Sequence, residues 1–100
     1  MELKPCKIKP YIGFALKSRS IKFGVDDITK CKKTQIIIYS EELAKSSEEK
    51  LIKFATENRC EIFKLNSAQF DELIDEQINV KALAVLDKNL AVAIKKNMAD

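Results

Sequence analysis

Most of the chemistry this chain can offer lies in eight residues, Phe23-Gly24-Val25-Asp26-Asp27-Ile28-Thr29-Lys30. A short apolar run enters a single glycine. Two carboxylates follow it, and a lysine comes one helical turn later. Glycine there lets the backbone turn sharply and brings N–H groups close to a ligand. Lys30 is three and four residues from Asp27 and Asp26, so all three share one helix face. With a basic surround, such a corner can hold a phosphate backbone. Its carboxylates can accept hydrogen bonds from the exposed amines of guanine or cytosine. RNA with splayed bases or non-standard pairs presents those edges, whereas a regular A-form helix hides them.

Other chemistries lack their residues. The chain has no histidine, so Ser–His and Cys–His nucleophiles have no imidazole to work with. A Cys/His zinc site is excluded for the same reason. Cys6, Cys31 and Cys60 are widely spaced and form no CxxC, which predicts three reduced thiols, at least two of them small core residues. Two glycines are too few for a phosphate loop. Carboxylates pair at Asp26/Asp27, Glu41/Glu42 and Glu48/Glu49. Neighbours on a helix point about 100° apart, so none of these is a natural acid–base couple. All three pairs fall near expected helix starts, where acids favour the dipole. The sequence predicts a binding protein rather than an enzyme, without cofactor or metal.

One hundred residues suit one domain, 1–100, with a single core. With 46% hydrophobic and 33% charged residues, the composition is that of a globular protein rather than a disordered chain. No apolar run approaches the roughly 20 residues of a membrane span. Charge and proline break the opening Met1-Glu2-Leu3-Lys4-Pro5-Cys6-Lys7, unlike a signal peptide, so the expected location is the cytoplasm. The net charge of +3 is unevenly spread. Residues 1–33 carry nine Lys/Arg against three acids, net +6; residues 34–100 carry nine against twelve, net −3. A basic first third is what a phosphate-binding face requires.

Helix and strand signals alternate without a linker. Pro10 suits the first turn of a helix running to about Ser18. Tyr11, Phe14, Ala15 and Ser18 share one face of that helix, flanked by Ile12 and Leu16. Ile21-Lys22-Phe23 reads as a short strand, and Val25 to about Lys32 as a short helix. Gln35-Ile36-Ile37-Ile38-Tyr39 is a β-branched run of the kind covered on both faces. After a turn at Glu41-Glu42-Leu43-Ala44, Ser46-Ser47-Glu48-Glu49 fits a capping box for a long helix with the stripe Leu51, Phe54, Ala55. Cys60 to Leu65 is a third strand. Asn66 or Ser67 caps a helix bearing Phe70, Leu73 and Ile74. After a loop at Glu76–Lys81, Ala82 to Leu86 is a fourth strand. Asp87 caps a last helix that buries Leu90, Ala91, Ile94 and Met98. Four strands interleaved with five helices predict an α/β fold, a three-layer α/β/α sandwich.

Several of these segments, taken in order, resemble a known family. Tyr11-Ile12-Gly13-Phe14-Ala15-Leu16-Lys17-Ser18 and Ile21 to Gly24 are similar to the "LLGLARRAGKLVSG" opening of YlxQ-like bacterial members of the L-seven-Ae ribosomal-protein family, which bind kink-turn RNA. Gly24 to Lys30 is similar to that family's G-x-N-E-x-x-K. Ile36 to Tyr39 with Ser40-Glu41-Glu42 matches its strand and short acidic turn. Val85-Leu86-Asp87-Lys88-Asn89-Leu90-Ala91 matches its "VTDEGFAKAI". The resemblance covers about residues 11–98.

It implies a mixed four-stranded sheet and an RNA surface made of Lys22, Gly24, Val25, Asp26, Asp27, Lys30, Lys33, Ile78, Asn79, Val80 and Lys81. In that surface Gly24 lets backbone approach the bend, and Lys30 contacts RNA. Asp26 stands where the family has its base-reading Asn, and Asp27 where it has Glu. The Ile78–Lys81 loop stands where the family presses an apolar loop on flipped-out bases. Asp26 lacks the amide donor and adds negative charge. Arg19 occupies a place where the family usually has Gly. The implied protein is a cytoplasmic, non-catalytic, ribosome-associated RNA binder whose partner is structured RNA, ribosomal RNA among the candidates, and a monomer is the favoured state. The alternative is a protein-interaction module on the same fold with RNA recognition weakened or lost. It would show an exposed apolar patch near Ile78 and Val80.

Overall fold

A computed structural model of the chain describes residues 5–74 and 80–98, with the backbone alone at 5–7 and 98. The order is α1 (Pro5–Lys17), β1 (Ile21–Phe23), α2 (Val25–Thr29), β2 (Ile36–Ser40), α3 (Lys45–Asn58), β3 (Glu61–Leu65), α4 (Ser67–Leu73), β4 (Ala82–Val85) and α5 (Lys88–Met98). The strands form one mixed sheet in the order β1-β4-β2-β3. β4 is antiparallel to both β1 and β2, while β2 and β3 run parallel. The parallel pair needs a crossover, and α3 supplies it. The expected α/β/α sandwich is the architecture found.

Every residue of β2 is buried. Its side chains alternate between two cores. Ile36 and Ile38 pack with Leu83 and Val85 of β4 beneath α1, α4 and α5, where Ile8, Ile12, Ala15, Phe70, Leu73 and Ile94 close the layer. Ile37 and Tyr39 pack with Ala82 and Ala84 against Ile28 of α2 and Leu51, Phe54 and Ala55 of α3. The continuous β-branched run of this strand is thus explained by helices on both sides. Ser40 is fully buried yet satisfied, its Oγ accepting the Glu42 N–H at 3.1 Å.

Several local expectations are corrected. α1 starts at Pro5, not Pro10, and Pro10 lies inside it. An interior proline removes one i→i−4 bond and costs about 3 kcal/mol. Burying Ile8, Ile12 and Ala15 completely offsets that cost. The inward stripe of α1 is therefore Ile8–Ile12–Ala15, with Tyr11 partly covered, while Phe14 is 61% exposed. α2 ends at Thr29 and turns take the chain from Lys30 to Thr34. α3 begins at Lys45 behind Ala44, with no side-chain cap, so Ser46–Glu49 is not a capping box. Glu48 is instead drawn across the helix face. Its Oε2 accepts from the Tyr39 hydroxyl at 2.7 Å and lies 3.3 Å from Lys64 Nζ. Cys31 and Cys60 are free and half-buried rather than core residues; the Cys60 thiol donates to the Thr34 carbonyl at 3.1 Å. The Cys6 and Met98 side chains lie outside the described residues. The cap at Asn66 is as expected: its Oδ1 accepts the Gln69 N–H at 2.8 Å. So is that at Asp87, whose Oδ1 accepts the Leu90 N–H at 3.1 Å.

α1 and α3 end alike. Arg19 (φ 59°) and Arg59 (φ 55°) both sit in the left-handed region. In each case the next N–H reaches back five residues, Ser20 to the Ala15 carbonyl at 2.8 Å and Cys60 to the Ala55 carbonyl at 2.9 Å. This closure usually carries glycine, because a side chain there is strained.

Two stability predictions follow from these contacts. A Cβ on Gly13 would meet nothing within 4 Å, and the residue is helical. Gly13→Ala should therefore raise unfolding free energy in urea by about 0.5–1 kcal/mol. The Tyr39 hydroxyl is held protonated by burial first and by the Glu48 carboxylate second, which raise its pKa from 10.0 to about 12. The unfolded chain loses that proton near pH 10 while the folded chain keeps it. The stabilising contribution is thus complete below pH 10 and lost as pH climbs from 10 to 12. Urea titrations across that range should show falling stability in the native chain and a flatter profile in Tyr39→Phe.

Candidate nucleic-acid interface

Strand register defines two rims. At one, Ile21, Val85, Ile36 and Glu61 lie in a row across all four strands. At the other, Gly24 N–H donates to the Ala82 carbonyl at 3.0 Å, and Tyr39 pairs with Ala82 and with Lys64. Gly24 and the residues leading into β4 are distant in sequence, yet this bond sets them side by side. Ser40 N–H continues the rim by donating to the Lys81 carbonyl at 2.8 Å.

Gly24 adopts φ 87°, ψ 148°, a conformation almost restricted to glycine. Nothing lies within 4 Å of where a Cβ would be, so the corner opens to solvent. The reason for glycine here is backbone shape, not crowding. Ile28 anchors α2 to the sheet, fully buried, and leaves Asp26 and Asp27 exposed. Among the described residues, neither carboxylate has a hydrogen-bond or ion-pair partner. Thr29 Oγ1 donates to the Val25 and Asp26 carbonyls at 2.9 and 3.2 Å, closing the helix end. Lys30 is exposed just beyond α2. Lys22 is exposed on the edge strand β1, on the sheet face opposite Ile21 and Phe23. Val25 is half-buried against Ile28 and its neighbours.

Val80 and Lys81 are half-buried at the same rim. Ile78 and Asn79, expected there too, lie outside the described residues. Lys33 stands apart. It precedes β2 at the opposite rim, where Gln35 N–H donates to the Val85 carbonyl at 2.9 Å. The rim also holds carboxylates absent from the sequence-predicted set. Glu42 Oε1 lies 3.4 Å from Lys81 Nζ. Glu41 Oε2 accepts the Ser67 N–H at 2.9 Å, at the start of α4. In the sequence they stood out only as an adjacent pair near a helix start and as the resembled family's short acidic turn after the second strand. Among the described residues no cluster of three His, Cys, Asp or Glu could hold a metal. None of the described helices is long and apolar enough to cross a membrane.

This rim can accept hydrogen bonds at Asp26 and Asp27, offer cations at Lys22 and Lys30, and let another molecule approach the backbone at Gly24. Those capacities are the ones a recognition surface uses.

No family model and no curated protein matches the chain. Among solved structures it is similar to a protein of unknown function from Bacillus halodurans C, at 14% identity and a TM-score of 0.82, covering 94% of this chain and 98% of that one. At that identity the likeness shows the fold alone.

The Gly24 conformation leads to a prediction. Gly24→Ala should cost about 1–3 kcal/mol in urea unfolding through backbone strain, although no atom is displaced. A neutral outcome would mean that the corner relaxes freely.

Proposed function

We propose that this chain is a non-catalytic RNA-binding protein of the cytoplasm that associates with ribonucleoprotein and recognises structured, kink-turn-like RNA at the Gly24 rim. The observation that carries the reading is the juxtaposition of Gly24, Asp26, Asp27, Val80 and Lys81. The family resemblance assigns these residues from two distant segments to one RNA surface, and the Gly24–Ala82 bond draws the segments together. The open corner lets a bent strand approach the backbone. The unpaired carboxylates of Asp26 and Asp27 accept from exposed base amines. Lys22 and Lys30 flank them and meet phosphates. Lys33 is not part of this surface.

One observation favours a second reading, a protein-interaction module on the same scaffold. Asp26 and Asp27 are exposed at the corner, Glu41 and Glu42 are exposed further along the same rim, and Glu42 takes Lys81. That balance suits a basic protein partner as well as a base edge.

A gel-shift titration with a kink-turn RNA tests both. Lys30→Glu should weaken binding at least tenfold, and unchanged binding would sink the RNA reading for this rim. Asp26→Asn removes a charge beside phosphates and restores an amide donor. It should tighten binding by about 1–3 kcal/mol. Failure of native chain and Asp26→Asn alike to bind at low salt would favour the protein partner.

A further inference from the structure

The basic residues of the first third do not gather at Gly24. Arg19 and the pair Lys32 and Lys33 lead into β1 and β2 at the opposite rim. Arg59 leads into β3 at that rim, and Lys88 follows β4 there. All five are exposed. Among the described residues, none of the five side chains has a hydrogen-bond or ion-pair partner. The acids nearby are committed. Glu61 is paired with Lys95 at 2.7 Å, and Asp87 caps α5. Beside them a hollow of about 210 Å³ opens between Gln35, Arg59, Lys88 and Val92.

From this arrangement we propose that this rim is a second nucleic-acid surface, which grips the phosphate backbone of an RNA strand without reading its bases. Four adjacent strand ends about 4.8 Å apart span about 14 Å. A single phosphate backbone laid along that row meets an unpaired cation at every strand end, Arg19 at β1, Lys88 at β4, Lys32 and Lys33 at β2 and Arg59 at β3. The chain's two arginines mark the rim further. Arg19 and Arg59 occupy equivalent left-handed closures of α1 and α3, where glycine would fit without strain. Each holds a planar fork of donors suited to phosphate oxygens at the mouth of a strand. A membrane surface fits less well, since Val92 is the one large apolar side chain standing out beside the hollow. This surface is independent of the Gly24 reading, because it needs neither a kink nor an exposed base edge.

The test uses an oligouridylate of about 20 nucleotides, which has no kink, in fluorescence anisotropy at about 50 mM salt and upward. The rim variant is Arg19→Gly, Lys33→Gln, Arg59→Gly and Lys88→Gln together. Glycine relieves the two strained turns, so the unfolding midpoint should stay or rise, which separates lost binding from lost structure. The control removes the same charge elsewhere, through Lys9→Gln, Lys45→Gln, Lys50→Gln and Lys53→Gln on α1 and α3. The proposal expects the rim variant to lose more than about tenfold in affinity. Its log–log salt dependence should become shallower by about 3, at roughly 0.7 per lost contact. The control should lose much less. Equal losses in both variants, or undiminished binding by the rim variant, would overturn it. So would native chain that binds phosphatidylserine vesicles through this rim and leaves oligouridylate free.

Discussion

β2 cannot be satisfied at a surface. All five of its residues are buried, so it needs a strand on each edge and a helical layer on each face. β4 and β3 fill its edges, one antiparallel and one parallel. The two cores then divide its side chains by parity, Ile36 and Ile38 to one, Ile37 and Tyr39 to the other. A slip of one residue would exchange the two sets and break both cores at once. That constraint fixes the row Ile21–Val85–Ile36–Glu61, and with it which loops share a rim.

The same register separates the charges. Lys33 and Arg19 precede strands that begin at one rim, while Gly24 closes the strand that ends at the other. A chain with a modest net charge of +3 thereby acquires two unlike ends. One has unpaired carboxylates around an open glycine corner. The other has unpaired ammonium and guanidinium groups around a small hollow. Their separation is about the length of the strands, roughly a Debye length at 0.1 M salt, so each end presents its own field to an approaching partner.

The elements themselves were largely legible in the sequence. β-branched runs and apolar stripes located the four strands and five helices of the described residues, because burial leaves a strong periodic trace. The glycine corner was also legible, since one isolated glycine before two acids is a local signal. What escaped was set by distant contacts. Pro10 looked like a helix start, but the burial of Ile8 draws the helix back past it. Ser46–Glu49 had the pattern of a capping box, yet Tyr39 and Lys64 on neighbouring strands claim Glu48. Residues 1–33 read as one basic block. Only the pairing of β1 with β4, and of β4 with β2, splits Lys33 from Gly24. The left-handed turn at Arg59 had no sequence signal, because glycine is what such turns normally advertise, and the turn at Arg19 had only the glycine that the resembled family carries at its place.

The sheet's two margins carry a further consequence. β1 is three residues long with a lysine at its centre, and β3 exposes Glu61 and Lys64 on either side of half-buried Ile62 and Phe63. Another chain seeking to lengthen the sheet meets few free amides on one side and ionised groups on the other. The fold therefore resists templated aggregation by the brevity and charge of its borders, while its longest apolar strand stays locked in the interior.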